Sequence, residues 1–360
     1  MDRFQLFLIL NITAFAYAAD SQPAQVTRRM EVSASAATSG ACSALLPDGR
    51  SFITGGRASA EPLSVARYFE RNGTVSPAAS MLAARTGHIC IALADGSVLV
   101  AGGEAGKAEA ANSAEIYHPD TNTWASTGGM QTARKGATAI LLKNGMALVA
   151  GGEISGKPTN TLEIYDPAQG RFDLVQGVLP AARAGYGLAV LEDGRVLIAG
   201  GLDGDQPVDS IDMFDPEMGR VYPAGRMLSP RARFTATPLA GGKVLFAGGT
   251  DGSHELASAE LYDPATGAVS PAEPMAAPRQ GHVAIHIAGS GRVLIAAGMA
   301  SGRAVESAEF FVLSRNAFEP APEAASAAGD PGPTITIGML EPDASVRREK
   351  RYRTGGPAPR

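Results

Sequence analysis

A strand-like run that ends in a glycine pair recurs along the chain, and its regularity limits the fold more than any other feature. The pairs are Gly55-Gly56, Gly102-Gly103, Gly151-Gly152, Gly200-Gly201 and Gly248-Gly249, with a decayed copy at Ala297-Gly298. Successive copies lie 47, 49, 49, 48 and 49 residues apart. Spacing this constant means a repeat architecture, in which each unit buries its apolar surface against the next.

Each copy carries further punctuation. A turn dipeptide precedes the run at Asp48-Gly49, Asp95-Gly96, Asn144-Gly145, Asp193-Gly194, Gly241-Gly242 and Ser290-Gly291, where a tight hairpin needs positive φ. Past the glycine pair comes an acidic-x-aromatic piece closed by a proline turn, as in Glu163-Ile164-Tyr165-Asp166-Pro167 and Glu260-Leu261-Tyr262-Asp263-Pro264. The proline stops that strand and opens a turn to a fourth, seen at Thr123-Trp124 and Arg171-Phe172. One repeat is therefore four antiparallel strands, A to D.

Arg85-Thr86-Gly87-His88, then Gly102-Gly103, Tyr117 and Trp124, resemble the kelch repeat in order and spacing. The resemblance, to the superfamily of galactose oxidase and kelch-like propellers, implies an all-β fold: a six-bladed β-propeller of four-stranded antiparallel kelch-type blades. The blades are expected at about 38–79, 80–128, 129–176, 177–225, 226–273 and 274–320. Radial stacking agrees with the residue reading, because a lone four-stranded sheet cannot bury both of its faces. Residues 25–32 are a candidate outer strand for the sixth blade.

The first repeat departs from the others in two places at once. It has Thr38 where its siblings have Arg85, Arg134, Arg183, Arg231 and Arg279, and Ala66 where they have Glu115, Glu163, Asp212, Glu260 and Glu309. Basic and acidic members that vanish together are expected to pair within one blade, since a buried charge persists only when partnered.

Residues 1–18 have the form of an export signal, with Arg3 before an apolar run and Ala16-Tyr17-Ala18 at the cleavage point. The mature chain is then expected to be extracytoplasmic, with a lead-in at 19–37. No later segment offers the unbroken apolar length of a membrane span. Cys42 and Cys90 are too few for a disulfide framework. They fall on opposite faces of adjacent A strands, which makes a bond sterically conceivable, but two buried free thiols are the expectation. Residues 321–360 turn rich in Ala, Pro and Gly, with basic Arg347-Arg348-Glu349-Lys350-Arg351, and read as a disordered tail apart from a candidate edge strand at 334–337.

Net charge of −5 gives no basic stripe for phosphate, so nucleic acid is not an expected partner. Exported propellers of the resembled superfamily include copper radical oxidases and sugar mutarotases. His282 and His286, the close histidine pair, would stand about 13 Å apart on one strand, too far to share an ion, so neither copper nor another metal or cofactor is expected. No catalytic motif stands out. The A–B and C–D turns share one end and are stereotyped, whereas the B–C and D–A loops share the other end and differ in every repeat. Variable loops on a rigid scaffold are where recognition sits. The expected function is a binding scaffold for a protein or glycan partner on that loop face, with a mutarotase-type sugar enzyme as the alternative. Acidic residues outnumber basic ones in those loops, and Glu104, Glu153, Asp203 and Asp251, each just past its glycine pair, are the expected ligand-binding residues.

Overall fold

The computed structural model describes residues 30–33, 39–58, 61–70, 74–105, 111–287, 289–321, 334–340 and 347–353. The expected export signal at 1–18 and most of the lead-in lie outside these residues. The described chain is almost wholly β, with one 3-10 turn at Leu313–Arg315. No helix in it is long and apolar enough to cross a membrane.

Each repeat is an antiparallel meander in the order A-B-C-D. In the second repeat the strands are Ile89–Ala92, Val98–Ala101, Ala114–His118 and Thr123–Thr127. The A strands of the successive sheets are Ser39–Leu45, Ile89–Ala92, Thr138–Leu141, Gly187–Val190, Thr235–Pro238 and Val283–Ile287. Each packs beside the next, from the first sheet through the sixth, so the A strands form the inner edge. In the first sheet a short strand, Glu61–Pro62, also pairs with the end of strand B.

Both faces of a sheet are buried, which explains why the B strands are continuously apolar rather than alternating. Ile89, Ile91, Leu99 and Ile116 of the second sheet pack against Ala139, Val149, Tyr165 and Phe172 of the third. The opposite face, with Cys90, Val98, Val100 and Tyr117, packs on Ala44, Phe52 and Tyr68 of the first. The glycine pairs are steric necessities of this stacking. A Cβ on Gly55, at φ +60°, would lie 2.4 Å from the Arg85 carbonyl oxygen and 2.6 Å from Cε1 of His88, both belonging to the next sheet.

A buried ion pair clamps each of five sheets internally. Arg134 Nη2 donates to Glu163 Oε1 at 2.6 Å with both side chains fully buried. The same guanidinium donates to the carbonyl oxygens of Gly151 (2.9 Å) and Thr161 (3.0 Å), while Glu163 accepts from the backbone N–H groups of Gln131 and Thr132. One pair thus fastens the D–A crossover to the ends of strands B and C. Arg85–Glu115 (2.8 Å), Arg279–Glu309 (3.1 Å), Arg183–Asp212 and Arg231–Glu260 occupy the equivalent places. Burial raises the Asp212 carboxyl above its ordinary range, although the Arg183 charge opposes the shift.

Three expectations need correction. In the first sheet Arg67, not Ala66, occupies the acidic position: it pairs across from Ile53 as Glu115 pairs across from Val100. Adjacent aromatics, Tyr68 and Phe69, permit two alignments of that strand, and the hydrogen-bonded ladder selects Phe69 as the counterpart of Tyr117. Cys42 and Cys90 are not free thiols but a disulfide, with Cα atoms 5.8 Å apart. The facing sides of the first two sheets bring both sulfurs into one interface. Finally, the tail read as disordered holds strands Thr334–Leu340 and Arg347–Arg353, paired antiparallel. Met30–Ser33 runs parallel to the former rather than joining the sixth sheet; residues 25–29 are outside the described residues. The β-branched run Thr334-Ile335-Thr336-Ile337 supplies the strand propensity that the surrounding composition obscures.

Candidate functional site

The residue that leaves strand B is tied to the residue that enters strand A of the same sheet. Two backbone hydrogen bonds join Glu104 to Thr86 (2.8 and 3.1 Å), Glu153 to Lys135 (2.8 and 3.1 Å) and Leu202 to Ala184 (2.8 and 3.1 Å). Thr250–Ala232 and Met299–Gln280 repeat the bridge. Directly inside each bridge comes the first residue of the inner edge: Gly40, Gly87, Gly136, Gly185, Arg233 and Gly281, all with positive φ. Successive members are hydrogen-bonded through the backbone, Gly87 N–H to Gly40 O, Gly136 to Gly87, Arg233 to Gly185 and Gly281 to Arg233, each at 2.8 Å. These rows line the inner edge of the stacked sheets at its B–C and D–A end, the mouth of the candidate site.

Counting from the glycine pairs, the B-strand exit positions are Arg57, Glu104, Glu153, Leu202, Thr250 and Met299. The first three are charged, and a chain of charge contacts runs through them across three sheets. Arg57 Nη2 is 2.6 Å from Glu104 Oε1, Lys135 Nζ is 3.9 Å from Glu104 Oε2, and Lys135 Nζ is 4.0 Å from Glu153 Oε2. In the fifth and sixth sheets Arg233 Nη1 donates to Gln280 Oε1 at 3.4 Å, and Gln280 Nε2 donates to Glu255 Oε1 at 3.2 Å. Three carboxylates, Glu104, Glu153 and Glu255, are matched by Arg57, Lys135 and Arg233. These contacts are balanced in charge among themselves, while acidic residues outnumber basic ones over the loop face as a whole.

Of the four expected ligand residues, the structure joins two. Glu104 and Glu153 meet through Lys135, but Glu104 has a side chain only 11% exposed and is held by Arg57, whereas Glu153 is 41% exposed. Asp203 lies one residue beyond the exit position, on the exposed two-residue hairpin Leu202–Asp203 with Gln206–Pro207. Asp251 is likewise one residue out and is occupied locally: its Oδ1 accepts from the N–H groups of Ser253 (2.8 Å) and His254 (2.7 Å). Those donors hold its carboxyl below the usual range. Arg57, Lys135 and Arg233 are the residues that composition-based reasoning missed. Their signal is positional: Arg57 follows its glycine pair directly, and Arg233 interrupts the Arg-x-Gly pattern kept at Gly87, Gly136, Gly185 and Gly281.

His88 and His282 are packing residues. Their Nε2 atoms share hydrogen bonds with Thr54 Oγ1 (2.9 Å) and Thr235 Oγ1 (3.0 Å). Full burial, with a smaller contribution from the neighbouring Arg85 or Arg279, pushes both imidazoles down to about 3. On the opposite end of the molecule a cleft of about 330 Å³ lies among Lys143, Asn144, Asp193, Arg195, Asp215 and Glu217. Asp193 and Asp215 there accept from the N–H groups of Arg195 (3.0 Å) and Glu217 (2.9 Å), so their carboxylates stabilise their own turns. That cleft is turn scaffolding, and the channel mouth is the better candidate.

The family model described as "Kelch motif" matches residues 85–131 and 182–228. Of solved structures, 711 chains match. One, titled "Structure of YjhT", superposes with a TM-score of 0.60 at 16% identity, covering 79% of this chain and 97% of that one. At that identity the likeness concerns the fold, and a fold shared so widely does not choose a function. No curated protein sequence matches the chain.

Proposed function

We propose that this chain, which carries kelch motifs and has the fold of a kelch-type propeller, is an exported binding scaffold whose protein or glycan partner docks on the channel mouth. The observation that carries the reading is the contact chain Arg57–Glu104–Lys135–Glu153 across three sheets. Nothing in a repeat's own folding calls for it, because Leu202, Thr250 and Met299 serve equally well at the same place in the later sheets. Paired donors and acceptors with no excess charge suit a hydroxyl-rich surface, which needs both.

In this reading the sheets close as a ring of six blades. Its support is burial: Leu294 and Phe310 on the far face of the sixth sheet are fully covered, and so are Ile53 and Phe69 on the outward face of the first. Export draws support from the Cys42–Cys90 disulfide, a bond that persists in oxidising compartments.

A glycan array and calorimetric titration of its hits, on the wild type and on Glu153→Gln and Lys135→Ala, test the proposal. Both side chains are over a third exposed, so the variants should remain folded while binding weakens. Unchanged binding by both would overturn the mouth as the site. A mutarotase-type reading is favoured by one feature, a half-exposed Glu153 beside the Lys135 ammonium, a carboxylate placed for proton transfer. Faster sugar anomer exchange by NMR, lost in Glu153→Gln, would establish that reading instead.

A further inference from the structure

The small sheet built from the two ends of the chain has two unlike faces. Thr334–Leu340 is its middle strand, with Met30–Ser33 parallel on one side and Arg347–Arg353 antiparallel on the other. These strands make their main contacts with one another. Residues in register across a sheet share a face, and alternate residues along a strand change face. One face therefore holds Met30 with Ile335 and Tyr352, Val32 with Ile337 and Lys350, and Met339 with Arg348. On this face every position of the first two strands is apolar, and the third strand contributes two cations and a tyrosine. The opposite face mixes three arginines with Glu31, Glu349 and the threonines of the middle strand.

Strand Arg347–Arg353 carries five basic residues and one acid, in a chain whose net charge is −5. An unpaired tail would present those charges on all sides. The strand instead sets Arg348 and Lys350 about 7 Å apart in one row, about 5 Å from the apolar positions of the middle strand. Apolar positions gain by leaving water, so whatever covers this face must accept the two cations as well. A protein core does not, because an unpaired buried charge is costly. An anionic lipid surface does both: it takes apolar groups at the acyl boundary and cations at the phosphates, with tyrosine favoured at headgroup level.

We propose that the terminal sheet docks this protein on an anionic lipid bilayer, with the face that holds Ile335, Ile337, Lys350 and Arg348 toward the lipid. The proposal does not depend on what the candidate site binds. The full chain should co-sediment with vesicles of phosphatidylcholine mixed with phosphatidylglycerol, and not with phosphatidylcholine vesicles. Added salt should weaken the association, since exposed charges are screened. Two paired reversals of equal charge change separate the faces. Arg348→Glu/Lys350→Glu should lower vesicle affinity by at least about tenfold, whereas Arg351→Glu/Arg353→Glu, on the opposite face, should lower it by clearly less. Both variants should keep the wild-type melting temperature.

A wild type that ignores the anionic vesicles would overturn the proposal. Equal losses in the two variants would do the same, because they would mean a basic tail acting without a preferred face. If the wild type binds heparin in solution and leaves the vesicles free, the strand reads a soluble polyanion and the lipid assignment falls. A melting temperature several degrees lower in Arg348→Glu/Lys350→Glu alone would show that this face packs on the propeller, which also overturns it.

Discussion

Removing the Cys42–Cys90 bond should destabilise the propeller more than any single surface change. The bond spans 48 residues of sequence, and closing a loop of that length in the unfolded chain is worth about 4 kcal/mol on the chain-entropy account. Its position adds to the effect. The first sheet has Thr38 and Arg67 in place of the arginine and carboxylate that clamp the other five. The disulfide joins this sheet to the second across their shared apolar interface, beside Arg57–Glu104 and the Thr54–His88 hydrogen bond. Urea unfolding of the oxidised protein, of the protein reduced with a water-soluble phosphine, and of Cys42→Ala/Cys90→Ala measures the difference. The reduced protein and the double variant should agree with each other. Both should lie about 2–4 kcal/mol below the oxidised form. A gap smaller than about 1 kcal/mol would show that packing alone secures the first sheet and would refute the reasoning.

Glu163→Ala should cost about 3–5 kcal/mol in urea unfolding, because it leaves the fully buried Arg134 guanidinium without its counter-charge; a cost below about 1 kcal/mol would mean the clamp is not energetically significant. His88 and His282 are held neutral down to about pH 3, whereas in the unfolded chain they gain protons below about 6.5. The unfolded state therefore binds more protons between those values, so their contribution is complete above pH 6.5 and is lost as pH falls toward 3. The slope should approach roughly 1.4 kcal/mol per pH unit for each histidine, and a His88→Gln/His282→Gln variant should show a shallower loss between pH 7 and 4.5. Gly55→Ala should destabilise by at least about 2 kcal/mol, since its Cβ would fall within 2.6 Å of both the Arg85 carbonyl oxygen and His88; a wild-type urea midpoint would contradict the interlocking of adjacent sheets.

The repeat period, the turn glycines and the proline stops determined a great deal without any structure. They are local requirements: positive φ at a hairpin, a strand ended by proline, a glycine where the neighbouring strand must pass close. Such needs recur in every unit, so the four strands of each repeat and the Arg–carboxylate series stand out in the sequence. What the sequence left open depends on neighbours distant along the chain. Whether Cys42 and Cys90 meet depends on which sheet faces face each other. Tyr68 and Phe69 are equivalent until strand pairing chooses between them. The site follows the same rule. Position after the glycine pair pointed to four acids, but only Glu104 and Glu153 stand at exit positions bridged to strand A. Asp203 and Asp251 lie one residue beyond those positions, and Arg57 and Lys135 join the two glutamates. A channel mouth is assembled from one or two residues of each repeat, some 50 positions apart. Only tertiary packing decides which of them share it.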